Sequence, residues 1–222
     1  MHVGRALAKL NPKNVRFDVG AGGIPELTPQ DIAAALGCVD DGLGRELLCQ
    51  VWWPDGAKLS EHHLIDILTE AHRQEWQRRE DRMLDAMLTV AMHGGSKGQV
   101  AFAAAHAERW PGMIHMEQGL PMAANGYKQV RHAVIEEMKG GNLCRSCGGR
   151  AAVRIESGQV CICPKCLGSG RIAVSERSRA QACGMTWEQY RGRWSKVYEW
   201  TVQFCSDSLQ RAAGQFVNRI GC

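Results

Sequence analysis

The sequence predicts a mainly α protein: a helical body with an inserted four-cysteine zinc ribbon on a short β-hairpin, and a C-terminal helix-turn-helix. Three observations predict it. Apolar residues recur at helical steps over much of the chain, two C-x₂-C pairs stand fifteen residues apart, and a Gly-Met-Thr corner separates two helical patterns near the C-terminus. No βαβ alternation, internal repeat or low-complexity tract competes with this reading.

Residues 1–29 read as a flexible arm, because Lys9 to Gln30 holds three prolines and three glycines without a helical period. Thr28-Pro29 then looks like an N-cap with proline at the first helical position, and Gly37 a stop. A second helix is expected over Leu43–Val51, followed by a turn at Pro54-Asp55-Gly56. Ser60 is read as the cap of the longest helix, whose core stripe is Leu64, Leu68, Ala71, Trp76, Met83, Met87 and Ala91, ending at Gly94-Gly95. The charged run Arg73–Arg82 on its other face reads as solvated i,i+4 pairs. An alanine-rich helix is expected over Val100–Trp110, halted by Pro111-Gly112, then a loop to about Gly126 and a helix over Tyr127–Lys139. Only Ala151–Ile155 and Gln159–Ile162 read as strands. The helical body is thus residues 30–140, the ribbon 141–172 and the helix-turn-helix region 173–222.

The 222 residues carry 27 Lys+Arg against 23 Asp+Glu, and the excess is uneven. Residues 1–140 hold 15 basic and 18 acidic residues, whereas residues 141–222 hold 12 and 5. A basic C-terminal third points to a polyanionic partner, most simply double-stranded DNA. No run approaches the ~18 apolar residues of a membrane helix, and the N-terminus lacks the apolar core of a secretory signal, so no membrane partner and a cytoplasmic location are expected.

Ten cysteines in such a chain favour metal over disulfides, and five lie between Cys144 and Cys166. Cys144 and Cys147 with Cys163 and Cys166 have the spacing of two tight loops whose thiolates complete a tetrahedron around one structural Zn²⁺. Cys161 is extra, since only Cys163 has the two-residue spacing to Cys166. Cys38, Cys49, Cys183, Cys205 and Cys222 read as small buried hydrophobes. His62, His63 and His72 read as ordinary histidines rather than a second metal site.

Ser175 to Trp194 reads as helix, turn, helix, with Gly184 in the turn, Met185 plugging the corner and Thr186 as cap. Trp187, Tyr190, Trp194, Val197, Thr201 and Phe204 form an apolar stripe. On an ideal wheel Gln189, Arg193 and Lys196 fall at about 200°, 240° and 180° from Trp187, on one flank. That flank suits a recognition helix, with Gln189 and Arg193 at base edges and Lys196 at phosphate, and Arg177 and Arg179 reaching the DNA backbone.

Taken together, these residues resemble the lambda-type family of phage Q antitermination proteins. The likeness runs from about residue 27 to 210. It is carried by Asp31–Gly37, Gly42-Leu-Gly44 through Cys49, Cys144-Arg145-x-Cys147 with Gly149, Cys163-x-x-Cys166 with Gly168 and Gly170, and the segment Thr186 to Trp194. Ala151 stands where the family's first zinc loop has a second glycine. The resemblance implies a phage late-gene regulator that binds DNA overlapping the late promoter and engages host RNA polymerase paused with its sigma factor. Such a protein then travels with the enzyme near its RNA exit channel, so that the enzyme resists pauses and terminators. The acidic body would face polymerase and the basic end DNA. No catalytic signature is present, so neither enzymatic activity nor a small-molecule substrate is expected. Two alternatives share these features: an ordinary DNA-binding promoter repressor or activator, and a co-chaperone similar in its zinc region to DnaJ, although four cysteine repeats and a His-Pro-Asp are lacking.

Overall fold

The computed structural model describes residues 3–7, 10, 28–93, 95–112, 121–149, 152–154, 159–168 and 170–220. Most of the stretch read as an arm, most of the loop after Gly112, Ala151, Ile155 and Cys222 lie outside these residues. The helices are α1 (Val3–Leu7), α2 (Pro29–Gly37), α3 (Leu43–Trp52), α4 (Glu61–His93), α5 (Gly95–Ala107), α6 (Pro121–Glu136), α7 (Glu176–Ala182), α8 (Trp187–Gln189) and α9 (Ser195–Ile220). A 3₁₀ turn at Pro54–Gly56 and π-turns at Glu137–Gly141 and Tyr190–Trp194 interrupt them. The strands are β1 (Ala152–Arg154) and β2 (Val160–Ile162), antiparallel, with Val153 opposite Cys161.

Two compact units form, each from separate stretches of chain: residues 1–60, 136–174 and 203–222 in the first, 61–135 and 175–202 in the second. In the first unit, α2 starts where Thr28 caps it. The Asp31 amide donates to the Thr28 hydroxyl at 3.2 Å, and the Thr28 amide donates to the Asp31 carboxylate at 2.9 Å. Its inward face, Ile32 and Leu36, packs with Leu48 and Cys49 of α3 and Ala212 and Phe216 of α9. Ala6 and Leu7 join the same core, so α1 is a packed helical turn inside the stretch read as an arm. Apolar burial explains it: a single turn of helix is unstable alone but holds when its leucine leaves water.

Glu46 of α3 anchors the turn that follows. Buried to 1% exposure, it accepts from Arg45 Nη1 at 3.0 Å and from the amides of Lys58 and Leu59 at 2.7 and 3.0 Å. Arg45 is itself buried and sends Nε to the Leu36 carbonyl, so the pair ties α2, α3 and the 3₁₀ turn together.

The second unit is built on an aromatic cluster. His72 of α4 meets Trp110, Tyr127 of α6 and Trp200 of α9, with ring centroids 5.6–5.9 Å apart. Tyr127 also meets Trp194 edge-on at 5.0 Å and donates its hydroxyl to the Pro111 carbonyl at 2.6 Å. Trp110 is buried beyond the end of α5, which runs over Gly95–Ala107 rather than Val100–Trp110. Burial of the indole in this cluster decides its backbone, over the local alanine-rich pattern. Helix α6 likewise begins at Pro121 and not at Tyr127: proline is well suited to a first turn, and Gly126 inside the helix makes room for Trp194.

The apolar stripe of α4 is buried at Leu64, Leu68, Trp76 and Met83. Met87 and Ala91, expected on that stripe, are exposed, as are Leu84, Leu88 and Met92. Over this length α4 packs on α5, where Gly98 comes close to Val90, and a slim alanine-rich neighbour covers little of the helix. The charged run behaves as a paired, solvated face for the most part: Arg73 bonds Glu70, while Arg78 and Arg79 both bond Glu75, at i,i+3 and i,i+4 spacing.

Candidate metal centre and helix-turn-helix

Leu143 and Arg171 pair as an isolated antiparallel bridge, closing the base of the ribbon. The Cys144 amide donates to the Gly170 carbonyl at 2.9 Å and the Ile172 amide to the Asn142 carbonyl at 2.7 Å. Arg171 reinforces the closure through Nη1 to the Asn142 side chain and Nη2 to the Met138 carbonyl. Between these ends, each C-x₂-C loop turns on glycine. Gly149 and Gly170 have φ of +77° and +72°, and a Cβ on Gly170 would stand 2.4 Å from the Gly149 carbonyl oxygen. The two loops therefore approach backbone to backbone, which only glycine permits. A Cβ on Gly149 would also meet Trp52 of α3 at 2.6 Å, so the first loop is seated against that helix.

This geometry brings Cys144, Cys147, Cys163 and Cys166 together, all buried, with their sulfurs within 4.8 Å of one another. Cys144 Sγ lies 3.9 Å from Cys163 Sγ, and Cys147 Sγ lies 3.7 Å from Cys166 Sγ. A metal–sulfur bond of about 2.3 Å in a tetrahedron gives an edge of about 3.8 Å, so the spacing fits one ion held by four thiolates. The site also favours thiolate. Backbone amides of Cys147 and Ser146 hold the Cys144 thiol below its usual range. Burial opposes ionisation of Cys166, but the Gly170 amide at 3.3 Å and the neighbouring sulfurs outweigh it and bring that thiol down to about 7. Four protein ligands leave no open coordination position, so such an ion holds the fold together. Cys161 stands outside the cluster on β2, half-buried, with its sulfur at 3.6 Å from the Val153 carbonyl.

Of the remaining cysteines, Cys49, Cys183 and Cys205 are buried as expected, but Cys38 is exposed, because it forms the C-cap of α2 where the chain turns away from the core. No histidine joins a metal cluster among the described residues. His62 pairs with Asp66 at 2.9 Å, and His72 is a core residue.

The helix-turn-helix corner forms as the local residues dictate. Ser175 caps α7, and α7 ends in a Schellman motif: the Met185 amide bonds the Ala180 carbonyl and the Gly184 amide bonds the Gln181 carbonyl. Gly184 takes the required left-handed conformation at φ +62°. Thr186 then caps α8 in a reciprocal box with Gln189, whose amide donates to the Thr186 hydroxyl at 3.3 Å and whose Oε1 accepts from the Thr186 amide at 3.2 Å. The stripe is buried at Tyr190, Trp194, Val197 and Thr201; past it Cys205 is buried while Phe204 is only half-buried.

The π-turn at Tyr190–Trp194, marked by the Ser195 amide bonding the Tyr190 carbonyl, adds one residue to a turn and sets back everything beyond it by roughly 100°. The five residues read as DNA contacts are consequently divided. Arg193 and Lys196 line one cavity, while Gln189 lies outside its lining with its carbonyl engaged in the cap. Arg177 lies over the Trp187 ring at 6.0 Å and Arg179 over the Tyr198 ring at 5.0 Å. Arg191, which the wheel does not single out, lines the same cavity as Arg193; the Arg-Gly-Arg run is the sequence signal available for it. Neither of these two guanidinium groups has a hydrogen-bond or ion-pair partner among the described residues, and both are exposed. The chain matches no family model, no curated protein and no solved structure.

Proposed function

We propose that this protein is a zinc-containing, DNA-binding transcription antitermination factor of the phage Q type. The carrying observation is the sequence of two devices along the chain: a closed cluster of four thiols, and directly after it a capped helix-turn-helix bearing the exposed arginines Arg191 and Arg193. Four soft thiolates in a tetrahedron favour Zn²⁺ over harder divalent ions, and a closed site contributes folding energy rather than chemistry. In this reading the region after Val174 grips the DNA with salt-dependent affinity, and Arg177, Arg179, Gln189, Arg193 and Lys196 supply its contacts.

The body would then engage host RNA polymerase bearing its sigma factor at the late promoter. The exposed apolar residues Leu84, Leu88 and Met92 on α4 support a protein-facing role for that helix. A loaded polymerase would carry the factor onward and pass pauses and terminators.

The test is transcription in vitro with host polymerase, on DNA carrying the promoter beside this gene and a terminator downstream. Read-through that requires both the protein and the promoter-proximal element is expected. Altered initiation with unchanged termination would instead make this an ordinary promoter repressor or activator. Leu88→Glu should abolish read-through while leaving DNA binding intact; loss of both would count against a polymerase-facing α4.

A further inference from the structure

The second unit contains a cavity of about 490 Å³ whose lining combines four cations with no acid. Arg109, Arg191, Arg193 and Lys196 supply the charge, His106 stands beside them, and Trp110 forms part of the wall. The π-turn builds one side, since Arg191, Gly192 and Arg193 are consecutive residues within it, and a Cβ on Gly192 would meet nothing within 4 Å. π-turns inside helices recur at functional positions because they displace side chains from the regular wheel.

The cations differ in how far they are already engaged. Arg109 holds Glu80 through two hydrogen bonds of 2.9 and 3.0 Å, so its charge is largely compensated. Lys196 donates to the Ala107 carbonyl, which pins it to the rim and leaves its charge unneutralised. The guanidinium groups of Arg191 and Arg193 are engaged by nothing among the described residues. Trp110 is a buried part of the wall, and its Nε1–H lies within the protein with no hydrogen-bond partner among those residues. A buried donor without an acceptor costs free energy, and indole can only donate. Two free guanidinium groups and a pinned ammonium make a surface of donors that lacks a single acceptor-rich anion. A phosphate group has that chemistry, since its oxygens accept bidentate bonds from guanidinium.

We infer that this cavity is a phosphate seat, filled by one backbone phosphodiester of the bound nucleic acid. The inference rests on the DNA-binding reading for the source of the phosphate, and it reassigns Arg193 from a base edge to the backbone. Arg191 and Arg193 clamp the phosphate, Lys196 supplies a point charge, and the seat fixes the register of the helix-turn-helix on the duplex without reading sequence.

The experiment uses the full-length, metal-loaded chain, Arg191→Ala/Arg193→Ala and Arg191→Lys/Arg193→Lys. Two probes are titrated: inorganic phosphate at constant ionic strength, and duplexes carrying either the promoter element or a scrambled sequence. Thermal unfolding checks that the exposed substitutions leave the fold unchanged. The expected result is saturable phosphate binding that the double alanine variant weakens at least tenfold. Affinity for both duplexes should fall by the same factor, with the slope of log K against log salt reduced by about 1 in the double alanine variant, as one lost phosphate contact requires. The lysine variant should keep most of the salt slope but bind phosphate more weakly than wild type. A loss confined to the promoter duplex would overturn the seat and leave DNA binding standing, with both arginines reading bases. Phosphate binding that depends on the arginines, in a protein that binds no duplex, would uphold the cavity and sink the DNA reading. Unchanged phosphate and duplex binding in the alanine variant would overturn the inference outright.

Discussion

His72 Nε2 lies 2.7 Å from Thr201 Oγ1, and Thr201 in turn donates to the Val197 carbonyl at 2.6 Å. A hydroxyl has one proton to give, so Thr201 accepts from His72 and the histidine carries its proton on Nε2. Nδ1 is then bare, buried and without a partner among the described residues. Burial, helped by the Arg131 charge, pushes the imidazole down to about 3, so His72 is neutral in the folded protein.

Acid should therefore destabilise the fold. The unfolded chain takes up a proton near 6.5, the folded chain only near 3, so protonation favours unfolding. Stability from this group is complete above 6.5 and is lost as pH falls toward 3, at about 1.4 kcal/mol per pH unit. Urea unfolding of wild type and His72→Gln at stepped pH should give slopes differing by about that amount. Equal slopes would mean that His72 titrates normally in the fold.

Glu46→Ala should destabilise the chain by ~2–4 kcal/mol, because it leaves the buried Arg45 charge with only the exposed Asp41 carboxylate at 3.5 Å and strips the Lys58 and Leu59 amides of their acceptor. Equilibrium unfolding measures the loss. A change under ~1 kcal/mol would mean that the pair is solvated and the 3₁₀ turn is held by other contacts.

Gly126→Ala should cost ~1–3 kcal/mol, since the added Cβ would stand 2.2 Å from the Trp194 ring and force the indole or α6 to move. Trp194 also contacts Tyr127, so tryptophan emission should shift with the same substitution. Unchanged stability and emission would refute this packing.

One metal ion per chain is expected by elemental analysis. Cys144→Ser, Cys147→Ser, Cys163→Ser and Cys166→Ser should each lower the metal content and the melting temperature, while Cys161→Ser should alter neither. A chelator should reproduce the loss in the wild-type chain. Metal loss in Cys161→Ser would make that residue a ligand.

Much of the fold was legible because its signals are local. Thr28-Pro29 starts a helix through its own hydroxyl and ring, Gly184 supplies the one backbone conformation that the corner needs, and two C-x₂-C spacings place four sulfurs in reach of one another. The ribbon's four thiols and the helix-turn-helix corner could therefore be read before any contact was known. Met87 and Ala91 show the limit: their spacing continues a core stripe, but spacing says which residues share a face and not whether anything covers it.

The sequence by itself determined helix starts, turns and metal spacing, because those depend on hydrogen bonds and dihedral angles within a few residues. Only tertiary structure decided that Leu7 joins a core with Phe216, that Trp110 leaves its helix to be buried beside His72, and that Gly126 yields its space to Trp194. It also decided that a π-turn gathers Arg191, Arg193 and Lys196 on one cavity apart from Gln189. Those outcomes arise where burial between segments far apart in the chain outweighs local preference, and a linear pattern carries no record of which distant surface will be met.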